Sequence, residues 1–395
     1  MPTSLPEHFE DFAEARREGF LKVKELKDKG EKICGAFCQY TPSEIIYAAG
    51  LYQVALCGRS PDPIKTAETR LPANLCPLIK ASYGHALEES CPYAYFSDVV
   101  VGETTCDGKK KMYELLGELK PMQVIHLPNV PDYERSLEMW TEEIRAFTKG
   151  LEEKFNVTIT DDMLNESIEW CNKERIQAAR IYELGKYDPP AITGTKMNDI
   201  MEGEQYMFDR EEKYNKINEI LDQCEKNWHD GIYPYEPDPN RPRLIVSGGG
   251  YGGVSAKTIN VMEELGGAIV CYEGCCGISS RRRLVDEDRS RDPYVRIAEK
   301  YIEVPCAVVS PNYRRMDQVR ETIKEWHADG YVSITLHSCN PFAIETENIR
   351  RVCEEMDIPL LHIETDFYPG DAGQIRTRIE AFLEMIRMGK EAAHE

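Results

Sequence analysis

Short apolar runs rich in Val and Ile alternate with amphipathic stretches over most of the chain, and that alternation predicts strands and helices taking turns. In the first part ICGAFC, YQVALC, FSDVVVGET and MQVIHLP read as strands. Between them TPSEIIYAAG reads as a helix with Thr41 capping, Pro42 in its first turn and Gly50 ending it. Further helices are expected to start near Pro77 in CPLIKASYGHAL and to run from Asp107 through Gly117. The end of the chain repeats the theme. There RLIVS, AIVCYE, YVSITLH and PLLHIET are the strands, separated by helical patterns such as SAKTINVMEELGG and MDQVRETIKEWHADG.

Three further stretches frame these two sets. Residues 7–30 read as a charged amphipathic helix, with Phe9, Phe12, Phe20, Val23 and Leu26 on its recurring face and Gly30 as its stop. Residues 132–230 are rich in Glu, Lys, Leu and Ile, contain Trp140, Trp170 and Trp228, and lack strand alternation, so they read as long helices. The segment DGIYPYEPDPNRPR reads as a hinge, and GQIRTRIEAFLEMIRMGKEA as a last helix packing back across the domains. The expected class is α/β: two Rossmann-like domains with small parallel sheets and a helical segment between them. The expected divisions are an arm at 1–30, a first α/β domain at 31–131, helices at 132–230, a linker at 231–243 and a second α/β domain at 244–395 with its C-terminal helix.

Composition narrows the function. The 395 residues carry 48 basic and 69 acidic side chains, a net charge of −21, which repels nucleic acid and anionic membrane surfaces. No run approaches the roughly 18 apolar residues needed to span a bilayer, and the acidic, amphipathic start differs from a signal peptide. A cytoplasmic protein acting on a small molecule, with no nucleic-acid or membrane partner, is the expectation. Fourteen cysteines in such a chain point to metal or redox chemistry rather than a disulfide framework.

Six of those cysteines fall into two similar series. Cys57 follows QVAL, Cys76 sits in ANLCP and Cys106 ends SDVVVGETTC; Cys275 follows AIVCYEG, Cys306 sits in EVPCAVV and Cys339 ends GYVSITLHSC. In an open parallel sheet, ligands gather at the carboxyl ends of the strands, so two such rims can offer three thiols each to a shared iron–sulfur site. Cys76 before Pro77 and Cys106 before Asp107 also stand where helices begin, where thiol pKa falls. Tetrahedral zinc on four thiolates is the competing metal. Cys38 is the first reserve ligand and Cys91 the second, while Cys34, Cys171, Cys224, Cys271 and Cys353 fit helix or strand interiors. Of the adjacent pair Cys275–Cys276, only the first is expected to serve the metal.

Other motifs carry weaker signals. IVSGGGYGGVSAKT places Gly248, Gly250 and Gly253 in a GxGxxG pattern after a strand, with Glu273 at the end of the next strand, as a dinucleotide fingerprint would. Its firmer content is backbone that can approach an anion closely. Lys257–Thr258 lie too far on to complete a Walker A loop. Arg281–Arg283 and Lys109–Lys111 read as solvated faces, the arginines alternatively as a dock for an acidic partner or a phosphate. Glu103, His337 and Glu364 flank strand ends, and packed or hydrogen-bonded roles are expected for each.

Taken together, FCQYTPSEIIYAAG, LPANLCPLIKASYG, GETTCDGKKKMYELL, LHSCNP and HIETDFYPGDAGQIRTRIEAFLEM resemble the 2-hydroxyacyl-CoA dehydratase and benzoyl-CoA reductase superfamily, and within it the double-cubane cluster proteins. The resemblance spans nearly the whole chain. It implies a four-iron cluster on Cys76, Cys106 and Cys339, and, for the double-cubane relatives, two cubanes joined by a sulfide with three cysteines each. By position in the two series the remaining ligands are then Cys57, Cys275 and Cys306, with Cys38 the substitute for Cys57. The resemblance further implies a homodimer that receives low-potential electrons from an ATP-hydrolysing iron–sulfur activator and reduces a small substrate. The alternatives are a subunit of an (R)-2-hydroxyacyl-CoA dehydratase with a single four-iron cluster, and a non-catalytic electron carrier.

Overall fold

A computed structural model of the chain describes residues 11–130, 133–275 and 277–394. The N-terminal helix is described from Asp11 to Asp28; residues 7–10 of the stretch expected to be helical, Phe9 among them, lie outside the described residues, as does Cys276. Val23 and Leu26 of that helix are buried, and Lys27 fixes it to Asp98 at 2.7 Å.

Two four-stranded sheets organise the chain. The first contains β1 (Ile33–Ala36), β2 (Tyr52–Ala55), β3 (Val99–Glu103) and β4 (Met122–Ile125), in the order β2-β1-β3-β4. The second contains β5 (Arg243–Gly248), β6 (Ala268–Gly274), β7 (Gly330–Leu336) and β8 (Leu360–Thr365), in the order β6-β5-β7-β8. Every pairing is parallel. Parallel strands are covered on both faces, which is why β1, β3, β6 and β7 are buried throughout and read as continuous apolar runs. The α/β class, with two small parallel sheets, is thus what the structure has. In each sheet the strand order reverses beside the first strand, between β1 and β3 and between β5 and β7. Such a switch point opens a crevice at the carboxyl ends.

The central segment is helical: Tyr133–Phe155, Asp161–Glu183, Gly194–Gly203 and Arg210–His229. Thr160, Thr193 and Asp209 cap the last three, each accepting a backbone N–H from three residues on. These helices do not form a separate layer. Trp140, Ile144, Leu151 and Ile168 share one core with Val99 and Val101 of β3 and with Ile297, Tyr301 and Val304 from the far half of the chain. A larger core joins the inner faces of both sheets. The proline-rich segment is pinned by buried Tyr235, whose hydroxyl donates to Glu263. The last helix, Ala372–His394, was expected to bridge the domains but is fixed within the second half. There Arg376 pairs with Glu264, Arg387 donates to the Leu265 carbonyl and Lys390 pairs with Asp329. Among the described residues no helix is long and apolar enough to cross a membrane.

The glycine run ends β5. Gly248 has φ +143°, and a Cβ there would lie 2.0 Å from the Ile334 carbonyl oxygen of β7. Gly30 has φ +86° but open space around it. Gly30→Ala should therefore cost about 1–2 kcal/mol of stability from backbone conformation alone. Gly248→Ala should cost about 3 kcal/mol or more, because a fixed backbone atom must also move. Urea unfolding of the two variants checks this; equal losses would show that the β5–β7 approach is not tight.

Candidate metal centre

The carboxyl ends of both sheets border one cavity of about 1110 Å³. Cys57, Cys76, Cys106, Cys275, Cys306 and Cys339, the six cysteines singled out in the sequence, all line it. Cys38 and Cys171 line it too. Cys171, expected in a helix interior, does sit buried on the helix Asp161–Glu183, yet on the side facing the cavity. Cys91 is not among the lining residues. The described cysteines are all unbridged.

Three of the thiols share a local design. Cys76, Cys106 and Cys339 are the N-cap residues of Pro77–Leu87, Asp107–Leu116 and Asn340–Glu355. Pro77 and Pro341 start two of these helices, their missing N–H costing nothing in a first turn. The unpaired N–H groups and partial positive charge at a helix start favour an anion, each by about 0.3–1 kcal/mol when exposed and more when desolvated. The Cys339 thiol is in hydrogen-bond contact with Cys76 and holds Cys76 down to about 7, against burial. The same contact and burial push Cys339 above the ordinary thiol range. The pair therefore gives up its first proton easily and keeps its second.

The remaining thiols lie on loops. Cys57 follows β2 and donates to the Phe37 carbonyl at 3.2 Å; Cys275 directly follows β6. Cys306, next to Pro305, lies not at a strand end but on the connection between the helices Pro293–Ile302 and Tyr313–Glu325. That loop is braced by Asn312, which donates to the Cys306 carbonyl at 2.8 Å and to Glu345 at 2.9 Å. Burial raises the Cys38 and Cys306 thiols, with Lys109 opposing in both cases.

Lys109 overturns the expectation of a solvated face. Lys110 and Lys111 fit it, pairing with Asp107 and Glu114 at the surface. Lys109 is buried, lines the cavity and donates to the Phe37 carbonyl at 3.1 Å. A signal was present in the sequence: positions 109, 112, 113 and 116 form one helical face, and all four are buried. Lys109 faces Glu103, which is fully buried at the end of β3 and accepts from the Thr41 hydroxyl. Burial pushes the Glu103 carboxyl up to about 7.

The other motifs are absorbed by packing. Glu273 is no ribose ligand: it is buried and held by Arg315 at 3.0 Å, Ser247 at 2.6 Å and Tyr331 at 2.9 Å. Gly250 and Gly252 let the loop after β5 meet Leu78 and Arg59 of the first half, where any side chain would collide. Arg281, Arg282 and Arg283 are each paired, with Glu204, Glu325 and Glu303. His337 and Glu364 pair with each other at 3.0 Å, half exposed.

Among the described residues no group of three or more His, Cys, Asp or Glu side chains is gathered to hold a metal ion. The thiols stand around a cavity instead. That spread suits a polynuclear iron–sulfur group, whose irons take ligands from several sides, and soft thiolates at helix starts are its natural donors.

A chain with two parallel α/β sheets and a shared cysteine-lined crevice can now be placed by comparison. Residues 38–386 match the family described as 2-hydroxyglutaryl-CoA dehydratase, D-component, and the chain belongs to that family. It is 41% identical over 97% of its length to YjiM of Escherichia coli (strain K12), named as a dehydratase subunit, covering 99% of that protein. It is 26% identical to the (R)-phenyllactyl-CoA dehydratase beta subunit of Clostridium sporogenes, covering 96% of this chain and 97% of that one. It is 22% identical to the (R)-2-hydroxyglutaryl-CoA dehydratase subunit beta of Acidaminococcus fermentans, covering 95% and 98%. Membership of the 2-hydroxyacyl-CoA dehydratase superfamily follows.

Glu103 gives a pH signature. Its folded pKa of about 7 exceeds its unfolded value of 4.5, so the unfolded chain ionises first. Stability from this group is full below about pH 4.5 and is lost as pH rises through 7, on the order of 3 kcal/mol in all. In metal-free protein the wild-type stability curve should fall over this window relative to that of Glu103→Gln. Parallel curves in chemical denaturation at pH 4.5 and 8 would refute it.

Proposed function

We propose that this chain is the iron–sulfur subunit of a 2-hydroxyacyl-CoA dehydratase, with Cys76, Cys106 and Cys339 as ligands of a four-iron cluster. The observation that carries this reading is that these three cysteines occupy the N-cap positions of three helices whose starts converge on one cavity. Relatives named as beta subunits of such dehydratases support it, and with it a second, different subunit as partner. Bound there, the cluster would supply a low-potential electron, delivered by a separate ATP-hydrolysing activator, to a 2-hydroxyacyl-CoA losing water.

The chain's own residues have three tasks in this reading. The helix starts offset the negative charge of thiolates and sulfides, and the Cys76–Cys339 pair is primed to lose a proton on ligation. Buried walls exclude water, which strengthens every charge interaction inside. A cavity above the usual 300–1,000 Å³ of ligand sites leaves room for a small acyl group beside the inorganic core.

A second reading is favoured by the other thiols. Cys38, Cys57, Cys275 and Cys306 face the same cavity, more than a single cubane needs. An ATP-dependent reductase, a homodimer with an eight-iron double cubane on Cys57, Cys76, Cys106, Cys275, Cys306 and Cys339, would use them. Iron and sulfide assays on anaerobically purified protein separate the two, about four irons per chain for the first and about eight for the second. Cys106→Ser should lose iron under both. Cys57→Ser should keep the wild-type content under the first and lose iron under the second. Protein without iron under strict anaerobiosis would sink both. Dehydration of an (R)-2-hydroxyacyl-CoA by the reconstituted subunits and activator tests the activity itself.

A further inference from the structure

Besides the six thiols, the residues lining the cavity include Cys171, Arg175, Arg281 and Lys300. Lys300 lies near the end of the helix Pro293–Ile302 and is only 6% exposed. Its ammonium rests 3.8 Å from the centre of the Tyr301 ring. The neighbouring cations are matched. Arg175 pairs with Glu44 and bonds the Tyr301 hydroxyl and Asn172 at 3.1 Å each; Arg281 pairs with Glu204 at 2.9 Å, and Lys213 with Glu174 at 2.6 Å. Among the described residues Lys300 has no hydrogen bond or ion pair.

The Lys300 side chain is buried while its ammonium still reaches the cavity, and a cation so enclosed without a protein acceptor is costly, so most folds avoid it or supply a carboxylate. Here the acceptor is absent at a place that opens into a binding cavity. We propose that Lys300 anchors a carboxylate-binding subsite, taking a small monocarboxylate either as a free acid or as the far end of an acyl thioester. A monoanion suits it better than a phosphate: the adjoining Glu44, Glu174 and Glu204 already neutralise the other cations and would repel a dianion. The subsite itself stands apart from the dehydratase reading; the thioester source rests on it.

Binding is linked to a proton. Burial and Arg175 push the Lys300 ammonium well below its ordinary range, and Arg281 adds to them, while Glu44 and the Cys171 thiol oppose. These groups, with Tyr301, face it from the helices Ser43–Ala48, Asp161–Glu183, Ile278–Arg281 and its own. A bound carboxylate favours the charged amine, so binding takes up a proton, and affinity falls as pH rises through the depressed value.

Calorimetry on the full, iron-loaded chain tests this with butyrate and the neutral isostere butyramide, in two buffers of different ionisation enthalpy. Butyrate should bind at least about tenfold more tightly than butyramide, with proton uptake. Lys300→Gln should lose that preference and the uptake while keeping its iron, and Lys300→Arg should keep the preference. Equal binding of the two probes, no binding of either, or an unchanged preference in Lys300→Gln would overturn the subsite. Should Lys300→Gln lose its iron, Lys300→Arg decides, and loss of preference there with iron retained overturns it. A second arm compares glutaryl-CoA with valeryl-CoA. Tighter binding of glutaryl-CoA identifies the thioester as the source. Binding of butyrate with no preference for glutaryl-CoA leaves the subsite in place with the free acid as its source, and the dehydratase reading falls separately, by failure of the reconstituted subunits and activator to dehydrate.

Discussion

Parallel pairing is the constraint from which the site follows. Because all four strands of each sheet run the same way, every strand delivers its carboxyl end to one rim, and every following helix starts there. The cores common to both sheets and the central helices then fix the two rims against one cavity. Cys57, Cys106, Cys275 and Cys339 past strand ends, and Cys76 at a helix start, thus reach the same space, whereas Cys91, at the start of the helix Pro92–Phe96, does not line it. Antiparallel sheets would have scattered those residues over opposite edges.

The fixed rims also explain the charge inside. The protein as a whole is strongly acidic, at −21, yet the cavity wall holds Arg59, Lys109, Arg175, Lys213, Arg281 and Lys300. Burying cations is expensive unless something negative meets them. Five of the six meet protein acceptors: Arg59 Glu202, Lys109 the Phe37 carbonyl, Arg175 Glu44, Lys213 Glu174, and Arg281 Glu204. Together with the helix starts at Cys76, Cys106 and Cys339, they make the interior a place where thiolates, sulfides or a carboxylate lose less by leaving water than they would in a neutral pocket.

Much of this was legible in the chain. Apolar runs gave the strands because buried parallel strands have no polar face to show. The six cysteines gave the rim because each falls within three residues of a strand end or at a helix start or interhelical loop. What escaped depended on contacts far apart in sequence. Lys109 looked solvated beside two lysines that are, although its place on the face of Met112, Tyr113 and Leu116 marked it as inward. Cys171 looked like core because nothing local shows that its helix borders a cavity. The segment from Val285 to Cys306 packs against Trp140 and β3 rather than staying with the sheet that precedes it. No composition shift announces that crossing.

The glycine run shows why a motif needs its surroundings. GxGxxG after a strand offers room for a pyrophosphate, but here the room is filled by protein. Gly248 makes way for the Ile334 carbonyl, Gly250 for Leu78 and Leu336, and Gly253 for Phe367 and the Arg59 backbone. Glu273, which would read a ribose, is saturated by Arg315, Ser247 and Tyr331. The same freedom that lets a backbone approach a nucleotide lets one half of this chain approach the other. That close approach sets the loop after β5 against the helix after Cys76 at the wall of one cavity. The glycines therefore serve the thiol site by bringing its two halves together, and a dinucleotide in their place would push those halves apart.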